Sequence, residues 1–156
     1  NSYKGACEAA SVSPSTGVLA AASGVLSAKG NVGKMRDQRL TDVDMKPLVS
    51  ALMNGHDFEE IDLSYNRLAH GAAAELRQLL ANDVRVRVLN LAENDIGPEA
   101  IQQLCGALKG NMTLEELALS GNTLGGVGGL AVADLLQSPN GLKRLALSNC
   151  ELTTES

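Results

Sequence analysis

Residues Leu114–Leu124 read LEELALSGNTL. Leu117 and Leu119 flank Ala118, and this alternation sends the two leucines to one face of a short strand and the alanine to the other. The same arrangement recurs as FEEIDLSYNRL from Phe58, VRVLNLAENDI from Val86 and LKRLALSNCEL from Leu142, each beginning 28 residues after the one before. All fit L-x-x-L-x-L-x-x-N/C-x-L. The polar slot holds Asn66, Asn94, Asn122 and Cys150, and the closing apolar slot holds Leu68, Ile96, Leu124 and Leu152. A fixed period of this length marks a stacked array of like units rather than a single folded sheet.

Between the strands the apolar spacing becomes helical. Leu48, Leu76, Leu104 and Val132 form one column, and Leu52, Leu80, Leu108 and Leu136 a second, four residues on. That offset puts both columns on one buried helix face. Upstream the frame weakens. Gln38 falls in the Asn slot, Leu40 in the closing slot and Met35 in the second strand position, while Gly33 replaces a leucine. A poorly packed strand is therefore expected around Gly33–Met35, with Lys34 and Val32 facing outward. Parallel strands stack about 4.8 Å apart, whereas packed helices need about 8–10 Å. A unit holding one of each must therefore curve, with strands on the concave wall.

These residues resemble the leucine-rich repeats of the ribonuclease-inhibitor type, which have 28- to 29-residue units, a Cys-tolerant Asn slot and a full helix per unit. The resemblance implies an α/β leucine-rich-repeat solenoid. Its units lie near 30–57, 58–85, 86–113 and 114–141, with a truncated unit at 142–156 and a degenerate or partial N-terminal repeat at 1–29. It also implies a non-enzymatic scaffold that binds another protein by its concave face or rim, as a fragment of a larger intracellular protein. Cytoplasmic cytoskeletal, ciliary and receptor assemblies are the settings in which such repeats occur. The alternative within the same resemblance is a GTPase-activating protein similar to the activator of Ran; no catalytic residue carries over.

Composition narrows the partners. Lys and Arg number 13 against 18 Asp and Glu, a net charge of −5, which argues against a nucleic-acid surface. No apolar run is long enough to span a bilayer, so membrane insertion is not expected. The chain holds no Trp, two Tyr and one Phe, so the core must be aliphatic. Cys7, Cys105 and Cys150 show no metal-ligand spacing, and an odd count without a framework fits a reducing compartment. Asn111-Met-Thr matches a glycosylation acceptor triplet, a match that arises easily by chance.

Several stretches invite sharper chemistry. GNTLGGVGGLAVAD, from Gly121 to Asp134, follows a strand and opens a helix, as a phosphate-binding turn would. In the 28-residue frame, however, Gly125 and Gly126 align with Gly97 and Pro98. The slot is simply the strand-to-helix connection, and Ala146 stands where a ribose-binding acid would be needed. Gly128 and Gly129 predict a frayed or late-starting helix. His56 and His70 read as surface histidines without a nucleophile partner, and no metal site or cofactor is expected. No small-molecule substrate is implied. Outward strand positions are the best candidates for partner binding: Glu60, Asp62, Arg87, Asn90, Glu116 and Arg144, with Tyr65 and Glu93 just beyond the strands. This wall reads as acidic in the middle and basic on its last strand, an asymmetry able to orient a partner.

Overall fold

The computed structural model describes residues 2–153. Five short strands, β1 (Val25–Ser27), β2 (Glu60–Asp62), β3 (Val88–Asn90), β4 (Glu116–Ala118) and β5 (Arg144–Ala146), pair in parallel and in sequence order. Helices α3 (Asp42–Met53), α4 (His70–Asn82), α5 (Pro98–Leu108) and α6 (Gly125–Gln137) follow β1 to β4 and pack side by side as a second layer. Strand and helix therefore alternate in a one-directional stack, with the apolar core between the layers. Ile61, Leu63, Leu89, Leu91, Leu117 and Leu119 point inward and are at most 3% exposed. Leu48, Leu76, Leu104 and Val132 meet them from the helix side, all buried.

The Asn slot holds neighbouring units together. Asn94 donates from Nδ2 to the carbonyls of Leu91 in its own unit and Leu63 in the unit before, each at 3.0 Å. Its Oδ1 accepts the Leu68 N–H at 3.0 Å. Asn66 and Asn122 repeat the pattern, taking the N–H groups of Leu40 and Ile96. Each side chain thus satisfies backbone groups that the turn leaves unpaired inside an apolar core. Cys150 replaces this set with weak thiol contacts, Sγ to the Leu119 carbonyl at 3.3 Å and to the Ser148 carbonyl at 3.6 Å. Having no side-chain oxygen to meet, the Leu124 N–H bonds the Cys150 carbonyl instead.

The first unit is built differently from the expectation. Gly33–Arg36 is a turn of 3-10 helix, and the strand lies upstream at Val25–Ser27, with Leu26 paired to Ile61. The step from Leu26 to Ile61 is thus 35 residues rather than 28. Leu26 and Ala28 supply the inward apolar side chains that Gly33 lacks, and both are buried. Gly30 sits where any Cβ would strike the Tyr65 carbonyl, so this glycine is required by close stacking on the second unit. Met35 is still buried, and Leu40 occupies the closing slot as expected. Gln38 is exposed; the Asn position belongs to Asn31, 35 residues before Asn66.

At the N-terminal end, α1 (Tyr3–Ala10) packs on α3, while α2 (Thr16–Leu19) lies against β1. Val18 and the backbone of Gly17 close the core over Ala28 and Met35. The other end differs. Leu136, placed by spacing in the buried column with Leu52, Leu80 and Leu108, is 55% exposed, whereas those three are 1–5% exposed. Helices α3, α4 and α5, which carry those three, each have a following helix packed against them.

Helix α6 also departs from the expected late start. It begins at Gly125, and Gly128 and Gly129 are buried within it. A Cβ on Gly128 would lie 2.9 Å from Ile101 and 2.7 Å from Leu124. The glycine is there to let α6 approach α5 closely, and that packing offsets its cost in helix propensity.

Candidate binding face

The β1–β5 register aligns outward side chains in columns across the strand wall. Val25, Glu60, Val88, Glu116 and Arg144 form one; Ser27, Asp62, Asn90, Ala118 and Ala146 form the next. By the same 28-residue step, Glu59, Arg87, Glu115 and Lys143 precede them. The expected columns hold for β2 to β5. On the first strand Val32 and Lys34 give way to Val25 and Ser27.

The expected contact residues divide into three groups. Glu60, Tyr65 and Glu93 are exposed, and their side chains make no ion pair or hydrogen bond among the described residues; Glu59 beside them is the same. Arg87, Glu116 and Arg144 are exposed or half-exposed but already paired. Arg87 reaches Glu115 at 3.5 Å and Arg144 reaches Glu116 at 2.7 Å, while Lys143 takes the other Glu115 oxygen at 3.0 Å. Asp62 and Asn90 belong to the frame instead. Asp62 is 6% exposed and accepts from the Ser64 N–H and hydroxyl, from Asn90 at 3.3 Å, and from Lys29 at 3.4 Å. Asn90 Oδ1 accepts the Ala92 N–H. A carboxylate with that many donors fastens the strand exit and presents little to a partner.

The last strand, basic in sequence, is therefore not a basic patch. Lys143, just before it, and Arg144 contact Glu115 and Glu116 at the start of β4. Exposed ion pairs contribute little to stability, but they cancel the field that each charge would project alone. Lys29 contacts Asp62, and Arg87 shares Glu115 with Lys143. The wall carboxylates that contact no cation are Glu59 and Glu60 at the start of β2 and Glu93 just past β3, in the slot that Tyr65 holds one unit earlier.

Tyr65 and Glu93 hold another distinction. With φ of 61° and 55° they lie in the left-handed region, as do Gly121 at 76° and Asn149 at 54° in the same slot of later units. Gly and Asn adopt this conformation readily; a tyrosine and a glutamate do so at a cost of about 1 kcal/mol each. The Glu93 carboxylate fills the space that a Cβ on Gly121 would take.

A pre-strand slot escaped the repeat reading. Asp83 Oδ2 accepts the N–H groups of Arg85 and Val86, Asn111 Oδ1 those of Thr113 and Leu114, and Asn140 Oδ1 that of Leu142. His56 occupies the slot in the second unit, its Nδ1 accepting the Phe58 N–H at 3.0 Å and its Nε2 donating to Asp83 at 2.7 Å. Far from being a surface residue, His56 has a side chain only 5% exposed, with both ring nitrogens engaged and none left for base chemistry. The 28-residue step from Asp83 to Asn111 is the signal that could have revealed this slot. Asn111 Nδ2 donates to the Leu80 carbonyl at 2.8 Å, so the nitrogen that would carry a glycan is committed to the fold. His70 starts α4, exposed, beside Gln103. The three cysteines are free and buried; burial pushes the Cys105 thiol up to about 11 and raises Cys150 as well. Neither thiol is a nucleophile at neutral pH.

Comparison with known proteins agrees with this architecture. A family described as Leucine Rich repeat matches residues 86–105 and 110–133. The ribonuclease inhibitor of Mus musculus is 32% identical over 125 residues, covering 79% of this chain and 27% of the inhibitor. The chain is a leucine-rich-repeat protein of the ribonuclease-inhibitor type. A Tonsoku-like protein of Bos taurus is 38% identical over 114 residues, 71% of the chain and 8% of that protein. NACHT, LRR and PYD domains-containing protein 14 of Mus musculus is 37% identical over 98 residues, 62% of the chain and 10% of that protein. The chain thus spans about a quarter or less of the length of these relatives. What they share with this leucine-rich-repeat chain is the interaction scaffold. No helix among the described residues is long and apolar enough to cross a membrane.

Proposed function

We propose that this leucine-rich-repeat chain is a non-enzymatic scaffold that holds a protein partner on its concave wall, and that the partner presents lysine or arginine to the second and third units. One observation carries the reading: Lys29, Arg87, Lys143 and Arg144 each already contact a carboxylate, Glu115 serving two of them, whereas Glu59, Glu60 and Glu93 contact no cation. The same two units carry the exposed Tyr65, a large amphipathic side chain with few rotors that suits a hot spot and can stack on a cation. The wall is lined by rigid strands, so little ordering entropy opposes binding. Three buried free thiols support an intracellular setting, and a cytoskeletal, ciliary or receptor assembly would present such a wall in the same way.

The test uses fluorescence polarisation with an extended peptide carrying spaced arginines and an otherwise identical peptide carrying glutamates. The arginine peptide is expected to bind, more weakly as salt rises, and the glutamate peptide not to bind. Glu60→Lys/Glu93→Lys is expected to weaken binding more than tenfold. Glu8→Lys/Glu99→Lys changes the net charge equally on the helices and should leave it within about twofold. Equal losses from both pairs would show attraction to overall charge and overturn the assignment to this wall.

A further inference from the structure

We infer that His56 is a pH-sensitive latch on the start of β2, closed while the imidazole is neutral and released when it takes a second proton. The turns that precede β2 to β5 are held alike. The side chain of one residue accepts the N–H two positions on: Asp83 that of Arg85, Asn111 that of Thr113 and Asn140 that of Leu142, each at 2.9 Å, and His56 that of Phe58 at 3.0 Å. An amide or carboxylate oxygen keeps a lone pair for this bond throughout the neutral range, whereas an imidazole nitrogen loses its lone pair on protonation. Among these four residues only His56 can be switched in that way.

Both partners fix the state of the ring. The Phe58 N–H can only donate, so Nδ1 carries a lone pair; the Asp83 carboxylate, at 2.7 Å, only accepts, so Nε2 carries the proton. The two side chains are 5% and 7% exposed. A second proton therefore enters only at Nδ1, where it displaces the Phe58 N–H. The surrounding charges decide which contact gives way. Asp83 supplies a counter-charge, and its other oxygen is fixed by the Arg85 and Val86 N–H groups, so the imidazolium stays on Asp83 and the turn at Phe58 opens. Asp57, next in sequence, also senses the ring's charge while accepting from the Ser23 hydroxyl. Arg85 lines the cavity beside the ring, together with Leu52 and Met53 of α3 and Leu79 and Asn82 of α4, which do not titrate. That cavity, about 180 Å³, has room for water to meet the new N–H. Glu59 and Glu60 follow the released amide directly, so the same proton loosens that part of the wall, a consequence that rests on the binding reading above.

The test follows the imidazole nitrogens and amide exchange of the chain by NMR between about pH 7.5 and about pH 5.5. As Nδ1 gains its proton, the protection factor of the Phe58 amide should fall about tenfold or more, while that of Thr113, held by Asn111, stays within about twofold. His56→Asn puts the side chain of the later units in the slot and should keep Phe58 protection constant across the range. A doubly protonated ring with Phe58 still protected would overturn the inference. So would a ring that gains no proton by about pH 5.5, or an equal fall at Thr113. The spaced-arginine peptide should lose about threefold more affinity on acidification with the native chain than with His56→Asn; an equal loss would overturn the hold on the wall. A peptide that binds neither chain would fail the binding reading alone, because amide exchange decides the latch without a partner.

Discussion

The two ends of the strand wall differ both in formal charge and in what they show to solvent. Around β2 and β3 the carboxylates of Glu59, Glu60 and Glu93 stand unmatched on the units that also carry Tyr65. Around β4 and β5 each of Glu115, Glu116, Lys143 and Arg144 is paired with another. Beneath the surface the contrast reverses in kind: the second and third units are locked by Asn66, Asn94 and Asn122, whereas the last rests on Cys150 with Leu136 and Leu147 incompletely covered. The well-buttressed end of the wall is thus the end with charge to spare.

The largest expected difference lies in the core. Leu91→Ala removes a side chain with no exposure from between two units and should cost about 3–5 kcal/mol in urea unfolding. Leu147→Ala, in the equivalent slot of the last unit, should cost less than half as much, since water already reaches its surface. Next comes the polar lock. Asn94→Ala strands the Leu68 N–H and the Leu63 and Leu91 carbonyls in an apolar interior and should cost about 2–4 kcal/mol. Cys150→Ala loses only weak thiol contacts and should cost about 1 kcal/mol or less. Equal costs would break the contrast between the two ends.

Backbone strain gives a smaller effect of opposite sign. Tyr65→Gly frees a left-handed tyrosine and should raise stability by about 0.5–1 kcal/mol, while lowering affinity for the partner. Asn149→Gly should change stability by only a few tenths, because Asn tolerates that conformation. The smallest prediction concerns Asp57. The Ser23 hydroxyl, donating to it at 2.7 Å, holds its carboxyl below the ordinary range. A carboxyl lowered in the folded state contributes stability above its unfolded value, and that contribution is lost as pH falls through the folded value, here below about pH 4. Ser23→Ala should return the Asp57 titration, followed by NMR, toward an ordinary aspartate.

The repeat frame was legible because apolar and Asn slots at a constant step have one physical solution, a stack of parallel strand–helix units. It failed at Gly33–Met35 because the first step is longer than the rest, and a fixed period cannot register an insertion. Leu136 was misplaced for a related reason: a leucine in a buried column is buried only when the next helix arrives. The wall was legible as columns but not as a field. Nothing in the order of residues says that Arg144 reaches Glu116 or that Asp62 turns inward to Ser64, since both depend on side-chain directions across strands. His56 and Asp83, 27 residues apart, meet through a turn slot whose residue type varies from His to Asp to Asn.

The most direct measurement compares charge reversals at the two ends of the wall with the spaced-arginine peptide as probe. Glu60→Lys/Glu93→Lys should weaken binding more than tenfold, whereas Glu115→Lys/Glu116→Lys, which unmatches the cations of β5 while removing the same charge, should cost distinctly less. Equal or reversed losses would contradict a binding surface centred on Tyr65 and the second and third units.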